Sequence, residues 1–158
     1  MAQTAAVSAP KLRSAAHVRA AGLAVAVIGL DQLTKHTVVP SDEQKLIPGL
    51  KLVHVRNTGV AFGVFSGGGA VVLVVTFAAL ALLVFYFATH PNRRGLWVPT
   101  GLLVGGALGN LIDRLSNGAV TDFIKLPHWP AFNLADTAIT LGVVALVYVL
   151  ETGRGRDG

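Results

Sequence analysis

One apolar run constrains this chain more than any other feature of its sequence. Residues 70–88 read AVVLVVTFAALALLVFYFA and include no charged residue. A helix needs roughly 20 apolar residues to cross the hydrocarbon core of a bilayer. The run therefore predicts a transmembrane helix.

Three further stretches approach the same length and character. We predict spans at about 18–39, which Asp31 and Lys35 interrupt, at about 96–115 and at about 132–150. The chain is 53% hydrophobic and 13% charged, whereas soluble domains carry about 25% charged residues. We expect an all-α membrane protein with four transmembrane helices and a small extracytoplasmic β element.

The flanks of these spans predict how the chain is organised across the membrane. The first span follows basic residues as in a signal peptide, but no small-residue cleavage site comes after it, so we expect it to be retained. Lysine and arginine slightly favour a cytoplasmic location for both termini. The expected parts are a disordered tail at 1–14, a four-helix domain at 15–151 with extracytoplasmic loops at about 40–69 and 116–131, and a cytoplasmic tail at 152–158.

The residue inventory excludes several classes of chemistry. The chain has no cysteine, which excludes disulfides, a thiol nucleophile and a cysteine metal site. Its five histidines are scattered without ligand spacing, so we expect no metal and no cofactor. The net charge of +5 is not gathered in one patch, which argues against a nucleic-acid partner.

The polar residues of the spans converge at one membrane face. Spans that alternate in direction bring the following residues together: Asp31, Lys35, Asn57, Asn110, Asp113, Arg114, Asp122, Asn133 and Asp136. Asp136 is expected about five residues inside its helix, which corresponds to roughly 8 Å. Ionisable groups at such a depth are costly, so they favour a functional interpretation.

Structural interpretations of the same residues remain open. Asp31 and Lys35 are spaced i, i+4 and can neutralise each other on one helix face. Asp113 and Arg114 are adjacent in sequence and are expected to have different partners. The asparagines can simply hold helices together in lipid.

The third span carries a helix-packing motif. Gly101, Gly105 and Gly109 form two overlapping GxxxG steps, with Gly106 beside them. Small residues at this spacing let another helix approach closely. We expect these glycines to be structural.

The stretch LKLVHVRNTGVAFG, at 50–63, predicts a short strand. Its residues alternate with β-branched side chains among them, Pro48-Gly49 precedes it, and a turn ending at Gly59 follows it. A strand with free edges can pair with an extended peptide. The alternative is a small hairpin that covers the bundle.

Five motifs in order resemble one known family. They are DQLTK at 31–35, NTGVAFG at 57–63, GNLIDRL at 109–115, VTDFI at 120–124 and FNLAD at 132–136. Together they resemble lipoprotein signal peptidase (signal peptidase II), an aspartic endopeptidase of the bacterial inner membrane. The resemblance covers residues 17 to 150. It implies removal of signal peptides from prolipoproteins, with cleavage just before a diacylglyceryl-modified cysteine.

The resemblance also implies roles for individual residues. Asp122 and Asp136 match the catalytic pair, and the positions that match substrate contacts are Asn57, Asn110, Arg114 and Asn133. Supporting positions around them are Asp31, Lys35, Gly59, Asp113 and Ala135. The implied partners are prolipoprotein substrates and membrane lipid, and we expect a monomer with its site near the extracytoplasmic face.

The chemistry of two close carboxylates is consistent with that resemblance. They cannot both ionise freely, so one proton is shared between them. The ionised member can take a proton from water while the protonated member polarises a carbonyl. The alternative is a small transporter subunit with Asp31, Asp113 and Asp136 as an ion relay, although relay groups usually lie near the midplane in repeated halves. A purely structural subunit would leave the convergence of polar groups unexplained.

Overall fold

The computed structural model describes residues 9–39, 41–58, 69–90, 93 and 95–154. Over these ranges the elements follow the order α1 (Ala9–Thr37), β1 (Gln44–Ile47), β2 (Leu50–Asn57), α2 (Gly69–Thr89), α3 (Trp97–Asn117), β3 (Val120–Lys125) and α4 (Leu134–Arg154). The expectation of a mainly helical chain with a small β element is confirmed. Gly59 lies outside the described residues.

The helix bounds differ from the predictions at both ends of the chain. α1 begins at Ala9, so residues 9–14, which we predicted as part of a disordered tail, are helical. Pro10 in the first turn is compatible with a helix, because that position needs no intrahelical N–H donor. α4 begins at Leu134, two residues later than predicted, and continues to Arg154.

α3 lies at the centre and contacts each of the other three helices. Its glycines explain how closely α1 approaches: a Cβ built on Gly105 would come within 2.8 Å of Val27 Cβ. A Cβ on Gly106 would meet α4 instead, 2.5 Å from the carbonyl oxygen of Ala135. The structural interpretation of the GxxxG motif is confirmed, and α3 uses small residues on two faces.

Two of the described helical stretches are long and apolar enough to cross a membrane, namely Ala15–Thr37 and Leu134–Thr152. Their outward faces carry exposed apolar side chains such as Val25, 68% exposed, and Val144, 63% exposed. The described apolar stretch of α2, Ala78–Thr89, is shorter than a full span. Crossing by α2 and α3 stays a prediction.

The sheet corrects one prediction about the extracytoplasmic loops. Its order is β1-β2-β3, and both pairs are antiparallel. β2 is the predicted strand, but both of its edges are paired, so the proposed free edge for a peptide is wrong at β2. The hairpin alternative is correct for β1 and β2, and the turn between them needs Gly49 because its φ is +87°.

β3 was not predicted, because its apolar residues do not alternate along the strand. α3 ends at Asn117, and the left-handed φ of 71° at the following Gly118 turns the chain so that β3 runs back along β2. The chain then returns through Phe132, which bridges to Ile124, and enters α4. This path brings Asp122 of β3 to the first turn of α4.

Candidate functional site

Most of the predicted site residues that the structure describes form two adjacent clusters. The carboxylate pair is Asp122 and Asp136 with the amides of Asn57, Asn110 and Asn133. The lysine cluster is Lys35 with Asp31 and Asp113. Both lie where α1 and α3 end and α4 begins.

Asp136 is fixed by the way that α4 starts. Asn133 precedes the first helical residue, and its Oδ1 accepts a hydrogen bond from the Asp136 N–H at 2.9 Å. The Asp136 Oδ2 accepts in return from the Asn133 N–H at 3.3 Å. This reciprocal arrangement is a capping box. Asp136 is the third residue of α4, so its predicted place five residues inside the helix is wrong.

Asp122 is the more enclosed of the two carboxylates, with 1% of its surface exposed. The Asn57 amide donates to its Oδ2 at 3.0 Å, and the Asn133 amide donates to its Oδ1 at 2.8 Å. The pKa of Asp122 is raised to about 6, mainly by burial and to a smaller extent by the negative charge of Asp136. The hydrogen bonds from Asn57 and Asn133 and the charge of Lys35 act in the opposite direction. Asp122 therefore binds its proton more tightly than an exposed aspartate does and releases it as the pH rises through about 6.

Asn110 and Asn133 connect the two carboxylates. The Asn110 amide donates to Asp136 Oδ1 at 2.7 Å. Its own oxygen accepts from the Asn133 amide at 3.0 Å, and Asn133 also donates to Asp122. The chain of amides holds both carboxylates at one place and leaves their charges without a directly bound cation among the described side chains.

Lys35 supplies the one positive charge of the second cluster. Its Nζ lies 2.7 Å from Asp31 Oδ2 and 2.9 Å from Asp113 Oδ2, and all three side chains are buried. It also donates to Asn110 Oδ1 at 3.3 Å, which joins the two clusters. The predicted ion pair of Asp31 with Lys35 is confirmed, with Asp113 as a second carboxylate on the same ammonium.

Each carboxylate of the lysine cluster also holds the backbone beside one member of the carboxylate pair. Asp31 Oδ1 accepts from the N–H of Ala135, next to Asp136, at 2.9 Å. Asp113 Oδ2 accepts from the N–H of Thr121, next to Asp122, at 3.0 Å. The lysine cluster thus positions the segments that carry the pair.

Gln32 belongs to the lysine cluster and was not predicted. Its amide donates to Asp113 Oδ1 at 2.9 Å and to the carbonyl oxygen of Gly109 at 3.3 Å. Gln32 follows Asp31 directly, and neighbouring helix positions point in different directions. Sequence periodicity therefore gave no reason to group the two.

Arg114 lies in the last turn of α3 and is partly buried. Its guanidinium donates to the carbonyl oxygen of Asn110 at 3.4 Å, a long contact. Asp113 pairs with Lys35 instead, so the expectation of different partners for these adjacent residues is confirmed. Within the described ranges, no three acidic or histidine side chains converge as metal ligands.

Comparisons with known proteins agree with the five motifs. The family model described as signal peptidase (SPase) II matches residues 23–151. A protein of Thermodesulfovibrio yellowstonii named lipoprotein signal peptidase is 42% identical over 132 residues, which are 77% of this chain and 87% of that protein. One of Moorella thermoacetica with the same name is 40% identical over 142 residues, 86% of this chain and 95% of that protein.

Solved structures are similar as well. One, described as a bacterial membrane enzyme at 2.3 Å resolution, superimposes with a TM-score of 0.79 and 32% identity, covering 88% of this chain and 91% of its own. A second, a bacterial membrane enzyme at 1.9 Å resolution, gives a TM-score of 0.74 and 34% identity, covering 83% of this chain and 91% of its own.

Proposed function

The chain belongs to the signal peptidase II family, and we propose that it is an aspartic endopeptidase that removes signal peptides from diacylglyceryl-modified prolipoproteins. Cleavage is placed just before the lipidated cysteine. The observation that carries this proposal is the carboxylate pair: Asp122 and Asp136 are joined through Asn133, and only neutral amides bind them among the described side chains.

The two carboxylates have environments that suit different roles. Asp122 is enclosed, and burial raises its pKa to about 6, so it is assigned as the proton donor that polarises the scissile carbonyl. Asp136 sits in the first turn of α4, where the helix end favours a negative charge. Its carboxylate accepts from Asn110 and from the Asn133 backbone, so it is assigned as the base that activates water.

Proton balance then follows through the hydrolysis. Asp136 removes a proton from water as the hydroxide attacks the carbonyl carbon, and Asp122 donates its proton to the carbonyl oxygen. Collapse of the tetrahedral intermediate breaks the C–N bond, and the amine leaves with the proton that Asp136 has taken. Asp122 regains its proton from the intermediate, so the pair ends in its starting state. The amides of Asn110 and Asn133 keep the two carboxylates in place throughout.

The proposed location is the bacterial inner membrane, with both termini in the cytoplasm and the carboxylate pair near the extracytoplasmic face. Exposed apolar side chains along α1 and α4 support contact with lipid. The substrate's lipid would remain in the bilayer while its peptide bond reaches the first turn of α4. Arg114 is assigned to substrate binding, and the enzyme is proposed to act as a monomer.

The relay alternative is not favoured. Asp31 and Asp113 are both bound to one buried ammonium group, and each also holds a backbone N–H, which fits a structural role better than a relay. The relatives are also named as peptidases.

The direct test is cleavage of a diacylglyceryl-modified precursor by the purified protein in detergent micelles, read by gel shift. We expect cleavage before the modified cysteine, and no cleavage of the same precursor without its diacylglyceryl group. Equal cleavage of both precursors would contradict the proposed specificity. Cleavage that a chelator abolishes and added metal restores would contradict the aspartic mechanism.

A further inference from the structure

Three lysines form one row across the sheet. Lys45 is the register partner of Lys51, and Lys51 is the register partner of Lys125 on the next strand. Directly opposed residues of antiparallel strands place their side chains on the same face, with Cβ atoms about 5 Å apart. The three ammonium groups therefore share one face, although opposed like charges destabilise a sheet.

The protein itself compensates this row only in part. Glu43 Oε1 lies 2.7 Å from Lys51 Nζ, and both side chains are well exposed, at 51% and 41%. This hydrogen bond to Lys51 lowers the pKa of Glu43. Lys125 donates to the carbonyl oxygen of Trp129 at 2.7 Å, and Lys45 is exposed. Over the described part of the chain, the row of three lysines has a single ion pair, that of Lys51 with Glu43.

Exposed apolar side chains surround the same end of the sheet. Leu46 is 52% exposed, Ile47 62% and Trp129 59%. The turn at Gly49 lies against Pro127, since a Cβ on Gly49 would come within 3.6 Å of Pro127 Cγ. The hairpin tip and the Trp129 loop are therefore neighbours. Tryptophan is enriched at membrane–water interfaces, and lysines beside exposed apolar residues are typical of surfaces that lie among headgroups.

We propose that this end of the sheet, which we call the lysine row, binds the anionic headgroups of phospholipids at the bilayer surface. The surface consists of Lys45, Lys51 and Lys125 with Leu46, Ile47 and Trp129. It requires a membrane location for the protein but does not depend on the peptidase chemistry. The lipid phosphates bind the three ammonium groups, and the apolar side chains insert into the membrane–water interface.

The path of the chain supports lipid as the occupant. Phe132 bridges to Ile124 at the edge of the sheet, and α4 begins two residues later, at Leu134. The outward face of α4 is apolar, with Val144 63% exposed. The sheet is thus joined directly to the end of a helix that can cross the membrane. An acidic peptide would neutralise the lysines but would leave Leu46, Ile47 and Trp129 in water.

The test measures how accessible position 129 is to water in nanodiscs of two compositions. In a Trp97→Phe background Trp129 is the only tryptophan, and acrylamide quenching reports its exposure. We expect nanodiscs with about 30% phosphatidylglycerol to lower the quenching constant about twofold relative to phosphatidylcholine alone, because anionic lipid attracts basic surface groups. Salt at about 0.5 M should remove the difference, since it screens charges at the surface.

Two sets of substitutions with the same charge change separate the lysine row from general electrostatics. Lys45→Gln with Lys51→Gln and Lys125→Gln should abolish the effect of phosphatidylglycerol. Lys11→Gln with Arg13→Gln and Arg19→Gln, at the other end of α1, should retain it. Thermal transitions check that each variant folds. If Trp97→Phe unfolds the protein, a fluorophore on Trp129→Cys replaces the tryptophan, because the chain has no other cysteine.

Three results would overturn the proposal. The first is that acrylamide quenches Trp129 equally in the two lipids. The second is that phosphatidylglycerol still protects Trp129 in the lysine-row variant, and the third is that it no longer does so in the control variant. A fourth would assign the surface to an acidic peptide instead: protection of position 129 by oligoglutamate in phosphatidylcholine nanodiscs, without protection by phosphatidylglycerol. No readout requires substrate cleavage, so failure here leaves the proposed peptidase activity untouched.

Discussion

Two clusters of buried or partly buried carboxylates lie side by side in this protein, and they differ in what binds them. In the lysine cluster, one ammonium group contacts both Asp31 and Asp113. In the carboxylate pair, Asp122 and Asp136 accept hydrogen bonds from neutral amides. Both clusters are built from elements that end at the same place, so location alone does not distinguish them.

The difference in charge compensation predicts a difference in role. Buried charges are normally paired, because an unpaired one is costly. The lysine cluster meets this requirement and also holds the backbone at Thr121 and Ala135. The carboxylate pair does not meet it, and the pKa of Asp122 is raised to about 6 by burial. Uncompensated carboxylates with shifted titration are candidates for acid and base chemistry.

The largest expected effect is on activity, from the carboxylate pair. Asp122→Asn and Asp136→Asn should each lower turnover by at least about 10³-fold, and the double variant should be no worse, because the two groups act as one unit. Cleavage of the lipidated precursor in micelles measures this. Asp113→Asn is the matched control, since it removes a buried carboxylate of the other cluster and should retain turnover. Near-normal turnover in either Asp122→Asn or Asp136→Asn would mean that the two clusters do not differ in role as proposed.

The second effect is on stability, from the lysine cluster. Lys35→Met leaves Asp31 and Asp113 buried without their cation, and breaking a buried ion pair in this way typically costs about 3–5 kcal/mol. Lys51→Met is the matched control, because its ion pair with Glu43 is exposed and should contribute less than about 1 kcal/mol. Unfolding in detergent compares the two. A Lys35→Met protein as stable as Lys51→Met would mean that the ammonium does not hold the cluster.

The site was predictable from the sequence where its contacts are local and not where they join distant elements. The GxxxG motif predicts that another helix approaches α3 closely, without saying which one, and i, i+4 spacing predicts the pair of Asp31 with Lys35. Both signals are local in the sequence. The contacts of Gln32 were not predictable, since they cross to α3, 81 positions away at Asp113. β3 was not predicted because its apolar residues do not alternate, and the strand forms through its pairing with β2.

The start of α4 shows a second limit of the sequence. The apolar run alone placed the start of α4 two residues too early. The sequence does contain a capping signal, because Asn133 is followed three residues later by the acidic Asp136. The motif resemblance named Asn57, Asn110 and Asn133 as substrate contacts, whereas in the structure their amides bind the two carboxylates. That geometry depends on caps and strand pairing, which the motifs do not describe. The catalytic and substrate-binding assignments remain predictions.

The third effect is a pH dependence of stability that only one cluster should show. The pKa of Asp122 is raised from 3.8 to about 6, so the folded state holds this proton more tightly than the unfolded state. The resulting stabilisation is complete below about pH 4 and is lost as the pH rises through about 6.

The measurement for this effect is the difference in unfolding free energy between the wild type and Asp122→Asn, taken from pH 4 to pH 8. The wild type should lose stability relative to the variant across this window, because the variant has no proton to release at this position. Asp113→Asn should still show the loss. A difference that stays constant with pH would mean that Asp122 is not titrating near 6.

The smallest expected effect concerns Arg114, which lies beside the carboxylate pair without binding either member directly. Its guanidinium reaches the Asn110 carbonyl only at 3.4 Å, so its donors remain suited to carbonyl or phosphate oxygens of a substrate. Arg114→Lys keeps the charge and loses the planar fork of donors. We expect KM for the lipidated precursor to rise about fivefold, roughly 1 kcal/mol, with kcat within a factor of two or so of wild type. Arg56→Lys, whose guanidinium is bound to the Asn117 carbonyl at 2.6 Å, should leave KM unchanged and serves as the control. If kcat falls while KM stays constant, Arg114 acts on the carboxylate pair and not on the substrate. The statement that no cation acts directly on that pair would then be wrong.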